Sequence, residues 1–154
     1  MNDNMYSAPE SEINGSADRR GSPVKAVSVG VVLDIGCTFV FLIVVGILVS
    51  VYMSSQGASQ TEIEETFTDL SWTSGLALFM TVSGLCFSAL GGFVCARIAR
   101  HNEVVLGAAV GAVSSSIGVL LGNQTYSTVE SVVLTVLTCA AALAGAVIFL
   151  TTKR

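Results

Sequence analysis

The sequence predicts an all-α polytopic membrane protein: four transmembrane helices arranged as two hairpins, with a short amphipathic helix on the outer face. Four long apolar runs are separated by polar segments, and each run has the ~20 residues that cross a hydrocarbon core of about 30 Å. Only 12% of the residues are charged, against about 25% in soluble domains. No run alternates polar with apolar residues, which excludes barrel strands and favours helices.

The N-terminal segment, residues 1–24, is rich in Ser, Asn, Asp and Glu. A segment of this composition buries too little apolar surface to offset the entropy lost on ordering. We therefore expect a disordered cytoplasmic tail, followed by a transmembrane bundle that occupies residues 25–154.

The first span covers about residues 26–53 and contains one charged residue, Asp34. At 1.5 Å per residue, Asp34 lies roughly 12 Å along the span, in the inner leaflet. An Asp at the centre of a span costs about 2.5–3.5 kcal/mol, so a partner or water is expected. The side chain of Arg97, at the end of the second span, is long enough to turn toward a carboxylate. The sequence predicts an Asp34–Arg97 ion pair that anchors two helices; the alternative interpretation of Asp34 is a proton or cation site.

A polar, acidic segment follows, and its residues 59–72 predict the short amphipathic helix. Thr61 and Glu64 have the spacing of a capping box. Three apolar residues fall at i, i+4 and i+7 and share one stripe: Ile63, Phe67 and Leu70. Trp72 is expected to anchor this segment at the lipid headgroups. The alternative is an unstructured acidic loop.

Three further spans cover about residues 74–96, 104–122 and 129–150. All seven Lys and Arg residues lie in the N-terminal tail, in the loop after the second span, or at the C-terminus. In a four-span protein these three segments share one side of the membrane. The positive-inside rule identifies that side as the cytoplasm, so both termini are predicted to be cytoplasmic.

Small residues recur every fourth position in the middle spans. In the second span the row is Gly84, Ser88, Gly92 and Ala96. In the third span there are two rows: Gly107, Gly111 and Ser115, and then Ser114, Gly118 and Gly122. Lipid provides no hydrophobic drive for helix association, so such rows mark places where helix backbones approach closely. They predict packing within the bundle, or contacts with a second copy or another membrane subunit.

The end of the second span, Gly91–Ala99, reads GG-x-x-x-A-R-x-A and precedes a Gly-containing helix that begins near Gly107. This pattern resembles small uncharacterised bacterial four-helix inner-membrane proteins. The resemblance implies a multi-pass protein of the bacterial inner membrane and implies no activity.

The residue pattern argues against several classes of function. The four cysteines lie within apolar runs without the close spacing of a metal site. No catalytic motif, phosphate loop or paired intramembrane carboxylate is present, and no basic stripe exists to bind nucleic acid. We therefore expect neither an enzyme nor a cofactor or metal. The leading hypothesis is a non-catalytic membrane scaffold or accessory subunit that acts through helix packing; the alternative is a small proton- or cation-coupled transporter or channel that uses Asp34.

Overall fold

The computed structural model describes residues 22–68, 74–121 and 128–152, and within these ranges the chain forms five α-helices. In chain order they are α1 (Pro23–Ser55), α2 (Gln60–Thr68), α3 (Gly75–Ala99), α4 (Glu103–Leu121) and α5 (Thr128–Thr152). The four longer helices are each long and apolar enough to cross a membrane. The predictions of an all-α protein and of four apolar helices are confirmed. The predicted tail up to residue 21, Trp72 and Gly122 lie outside the described residues.

Local capping residues and backbone conformations, rather than the limits of the apolar runs, determine where the long helices begin and end. Pro23 occupies the first turn of α1, where its missing N–H leaves no hydrogen bond unmade. The Ser74 hydroxyl accepts a hydrogen bond from the backbone N–H of Ala77 at 3.2 Å and caps α3. α3 continues past the predicted residue 96 to Ala99 and ends where Arg100 adopts a left-handed φ of 55°. Backbone hydrogen bonding therefore carries the helices beyond the hydrocarbon-length segments.

The short helix α2 has a capping box, but two residues earlier than predicted. The Ser59 backbone N–H donates to Glu62 Oε2 at 2.7 Å, and the Glu62 backbone N–H donates to Ser59 Oγ at 3.3 Å. The bonds from Ser59 lower the pKa of Glu62 from its ordinary value of 4.5. The predicted box of Thr61 and Glu64 was wrong. The chain turns at Gly57, where φ is 85°, and this brings Ser59 first into the capping position.

Two helices form the centre of the bundle. α3 and α4 each pack against the other three long helices. α1 and α5 make no direct contact with each other in the described parts of the chain. They therefore lie on opposite sides of the α3–α4 pair.

The bundle is closed at one end, which we call the basic end. Its buried apolar core is one cluster: Ala26, Val31, Cys95, Ala99 and Val110. Three basic residues flank this cluster along the chain: Lys25, Arg97 and Arg100. The first turns of α1, the last turns of α3 and the start of α4 therefore meet at the basic end.

In the half of the bundle next to the basic end, glycines allow the helix backbones to come into direct contact. A Cβ added to Gly92 of α3 would collide with the carbonyl group of Ala142 in α5, and one added to Gly145 of α5 would collide with the carbonyl of Ala89. No side chain lies between the two helices at these points. The contact is therefore between backbones, and the flexible end of a side chain cannot relieve a clash there.

The same type of contact holds α4 against α5 and α1 against α3. A Cβ on Gly111 would lie 2.7 Å from Cys139 Cα, and one on Gly107 would lie 2.7 Å from the Ala146 Cβ. A Cβ on Gly30 would lie 2.8 Å from the Gly91 carbonyl oxygen. The predicted row residues that are buried are Ser88, Gly92, Ala96, Gly107, Gly111, Ser114 and Ser115. These residues pack within the bundle.

We expect Gly92→Ala to destabilise the protein, although alanine is the better helix former by about 1 kcal/mol. The new methyl group would have to push α5 away from α3, and overpacking of this kind costs about 1–3 kcal/mol. The measurement is thermal unfolding of the purified protein in mild detergent. Gly46→Ala in α1 is the matched control, because a Cβ there meets no atom within 4 Å. Equal melting temperatures for both variants would contradict the packing described here.

Candidate functional site

Asp34 lies inside the bundle at the middle of its length. Its side chain is 4% exposed, and its Oδ1 accepts a hydrogen bond from Ser88 Oγ at 2.9 Å. Ser88 is the fourteenth of the 25 residues of α3. Asp34 is therefore opposite a point near the middle of α3. Ser88 precedes Ala96, the predicted end of the second span, by eight residues or about 12 Å, the same distance that Asp34 was expected to have from the start of the first span. The depth of Asp34 in a membrane stays a prediction.

The predicted partner of Asp34, Arg97, is not brought to it. Arg97 is exposed and follows Ser88 by nine residues on α3. At 3.6 residues per turn this is about 2.5 turns, which places Arg97 on the opposite side of the helix from Ser88. The hydroxyl of Ser88 occupies the position that the guanidinium was expected to take.

A cavity of about 480 Å³ extends from Asp34 away from the basic end, between the four long helices. Polar side chains line it from every one of these helices: Asp34 and Thr38 from α1, Thr81 and Ser88 from α3, Ser114 and Ser115 from α4, and Ser131, Thr135 and Thr138 from α5. No Lys, Arg or His belongs to this lining. The cavity therefore combines one carboxylate with several hydroxyl groups.

The cavity exists because close packing of the small-residue rows stops at its edge. Gly84 and Gly118 belong to rows that were predicted to pack helices, yet a Cβ on either would meet no atom within 4 Å. In this half of the bundle, aromatic rings separate α1 from α3: the ring of Phe41 lies 5.6 Å from that of Phe79 and 5.5 Å from that of Phe87, between centroids. Two helices approach closely only when both are free of bulky side chains at the contact.

Half of the eight hydroxyl groups that line the cavity use their hydrogen in a bond to their own helix. Four donate to a carbonyl four residues earlier on their own helix: Thr81 to Ala77 at 2.9 Å, Ser115 to Gly111 at 2.7 Å, and Thr135 to Ser131 and Thr138 to Leu134 at 2.8 Å. Each hydroxyl has one hydrogen, so its oxygen lone pairs remain available. The wall is therefore rich in hydrogen-bond acceptors.

Ser114 is a buried polar group without a partner. Its side chain is 8% exposed, and its Oγ makes no hydrogen bond to any described residue. A buried hydroxyl without a partner costs about 1–3 kcal/mol. Ser114 is among the residues that line the cavity, and its Oγ is itself covered by the surrounding protein.

The polar stripe of the fourth span was missed from the sequence. Ser131, Thr135 and Thr138 fall at i, i+4 and i+7 and share one helix face. The rule that finds apolar stripes would have found this one, had it been applied to hydroxyl residues within an apolar run. The two glycines at the cavity edge, by contrast, look the same in the sequence as the glycines that pack.

These groups can hold a cation or a proton. A carboxylate supplies the negative charge, and hydroxyl oxygens supply further acceptors. The part of the chain that the structure describes contains no group of three or more His, Cys, Asp or Glu side chains that could hold a metal ion. The chemistry of the cavity is therefore that of one carboxylate among neutral oxygens.

No family model, curated protein or solved structure matches the chain.

We expect a double-mutant cycle to show energetic coupling between Asp34 and Ser88 and none between Asp34 and Arg97. A hydrogen bond to a charged group contributes about 1.5–3 kcal/mol, and contacting residues couple by about 0.5–3 kcal/mol. The unfolding free energy in detergent is compared for Asp34→Asn, Ser88→Ala, Arg97→Gln and the two double variants. A large coupling between Asp34 and Arg97 would instead support the ion pair expected from the sequence.

Proposed function

We propose that this chain is a small integral membrane protein that binds a proton or another cation at Asp34 and moves it across the bilayer, as a transporter or channel. The observation that carries the proposal is the cavity of about 480 Å³ that ends on Asp34. Carriers hold their substrates near the middle of the bilayer, between packed helices, and Asp34 lies opposite the middle of α3. An ionisable residue inside a membrane span is a functional-site hypothesis by default.

The energetics of Asp34 support this proposal. A carboxylate at the centre of a span costs about 2.5–3.5 kcal/mol, and among the described residues Ser88 supplies its one hydrogen bond. No basic residue lies between Lys25 and Arg97 or between Arg100 and Lys153. The positive charge that balances Asp34 must therefore come from outside the four spans, either as a proton or as a bound cation.

The closed basic end of the bundle suggests how access of a cation to Asp34 would be controlled. From Asp34 toward the basic end, α1 packs on α3 through the backbone contact of Gly30 with Gly91. Transport requires this contact to loosen while the cavity side closes, which is the alternation expected of a carrier. In this proposal, the described arrangement is the state that is open on the cavity side.

The scaffold hypothesis has less support than the sequence suggested. It depended mainly on the lack of catalytic motifs in the sequence, together with the abundance of small-residue rows that pack within the bundle or contact a second copy or another subunit. The buried members of those rows contact other helices of the same chain. The remaining outer surface is apolar, as lipid contact alone requires. A scaffold or accessory role is therefore our second proposal, and neither proposal includes catalysis.

We further propose a location in a bacterial inner membrane, with the basic end and both termini in the cytoplasm. The positive-inside rule supports this orientation, because Lys25, Arg97 and Arg100 lie at one end of the bundle. The cavity then opens toward the outside, and the helix pairs α1–α3 and α4–α5 are the two hairpins. α2 lies on the outer face, with Ile63 and Phe67 partly buried and Glu62 exposed.

We expect Asp34→Asn to reduce proton or cation flux into liposomes to the level of protein-free liposomes. The amide is close to the carboxylate in size but carries no charge and binds no proton. Flux is measured with a pH-sensitive dye, and with a sodium- or potassium-sensitive dye. Ser116→Ala is the control, because this hydroxyl is exposed and bonds to the Ala112 carbonyl of its own helix. A folded Asp34→Asn protein with unchanged flux would refute the proposal.

The orientation is tested by labelling single cysteines with a membrane-impermeant maleimide in intact cells, in a variant without the four native cysteines. Thr61→Cys in α2 is expected to react from outside. Val24→Cys at the basic end is expected to react only after the cells are opened. Both native side chains are exposed, so burial does not prevent reaction at either position. Reaction of Val24→Cys in intact cells would reverse the orientation.

A further inference from the structure

We infer that the cation that binds at Asp34 is an organic ammonium ion with an apolar body, rather than a bare metal ion. This inference rests on the proposed function, because it names the substrate class of the same site. Three properties of the cavity support the inference: its size, the presence of both polar and apolar side chains in its wall, and its single charged group.

The cavity is too large for a bare ion. Its volume of about 480 Å³ corresponds to roughly 16 water molecules at ~30 Å³ each. It falls within the range of about 300–1,000 Å³ that is typical of pockets for small organic molecules. A dehydrated metal ion needs several oxygens at about 2.0–2.6 Å on all sides, and a wide cavity with one carboxylate does not surround an ion in this way.

The wall also contains many apolar side chains. The side chains of Ile35, Phe39, Leu42, Leu85, Ile117 and Leu134 all line the cavity. Water in contact with this surface gains little favourable free energy. An apolar body placed there stabilises the complex by about 25 cal/mol for each Å² of apolar surface that it buries. The wall therefore favours a ligand that has both a polar head and a hydrocarbon part.

The polar side chains of the cavity wall match an ammonium group that carries N–H donors. Asp34 supplies one negative charge, and the oxygens of Ser115 and Thr138 face the cavity as acceptors because their own hydrogens are bound elsewhere. One carboxylate among neutral acceptors balances a single positive charge, so the ligand is a monocation.

The test is equilibrium binding of radiolabelled benzylammonium to the full-length protein in lipid nanodiscs. Benzyl alcohol, which has the same ring without the charge, is the matched competitor. We expect saturable binding of one benzylammonium per protein, competition by unlabelled benzylammonium, and no competition by benzyl alcohol or by sodium at the same concentration. Asp34→Asn is expected to abolish binding, and Ser116→Ala to leave it unchanged.

Gly84→Leu provides a second variant that keeps Asp34 intact. A Cβ at Gly84 meets no atom within 4 Å, so the larger side chain can fill the cavity without separating the helices. We expect this variant to fold and to bind benzylammonium more weakly than the native protein. Unchanged affinity would place the ligand outside the cavity and overturn the inference.

The outcomes separate this inference from the proposed function. If Asp34-dependent flux of protons or sodium is found and benzylammonium does not bind saturably, the proposed function stands and the organic-cation inference is overturned. If benzylammonium binds at Asp34 and no cation is transported, the inference stands and the transport proposal fails. If the folded protein shows neither binding nor flux, both are refuted.

Discussion

Backbone contact at glycine positions determines where this bundle is closed and where it is open. In lipid, apolar side chains gain nothing by leaving their surroundings for another helix, so helices associate through close approach and the dispersion that it allows. Two such contacts, of Gly92 with Ala142 and of Gly111 with Cys139, allow that approach in the half of the bundle next to the basic end. Where glycine has no partner, as at Gly84, the helices diverge. The cavity therefore occupies the half of the bundle in which the glycines make no close contact.

The carboxylate lies at the boundary between these two halves. On one side of Asp34 the bundle is closed by the contact of Gly30 with Gly91, and on the other side the cavity begins. This position reconciles two requirements that conflict elsewhere in a membrane. A carboxylate buried in this way is costly, yet it lines a cavity of about 480 Å³. The partner that the structure gives this carboxylate is the neutral hydroxyl of Ser88, and Arg97 faces the other side of α3.

Much of the fold follows directly from the one-dimensional pattern. Apolar runs of membrane length predict the four long helices, and Gly92 and Gly111 were identified as packing positions from their spacing alone. The helix ends and the cap of α2 were less predictable, because they depend on single backbone conformations such as the left-handed one at Arg100. The site was predictable only in part. Asp34 stands out in an apolar run, but its partner depends on which face of α3 is turned toward α1.

The sequence by itself predicted four apolar helices long enough to cross a membrane, with one carboxylate inside the predicted spans and every Lys and Arg residue outside them. These properties depend on composition and local periodicity, which do not require knowledge of neighbours. Only the tertiary structure decided that Ser88 contacts Asp34, that Gly84 and Gly118 border a space while Gly92 is in contact, and that hydroxyls from four helices face one cavity. The reason is physical: the rotation of each helix about its axis, and the bulk of the side chains opposite each glycine, are set by packing between residues distant in the chain.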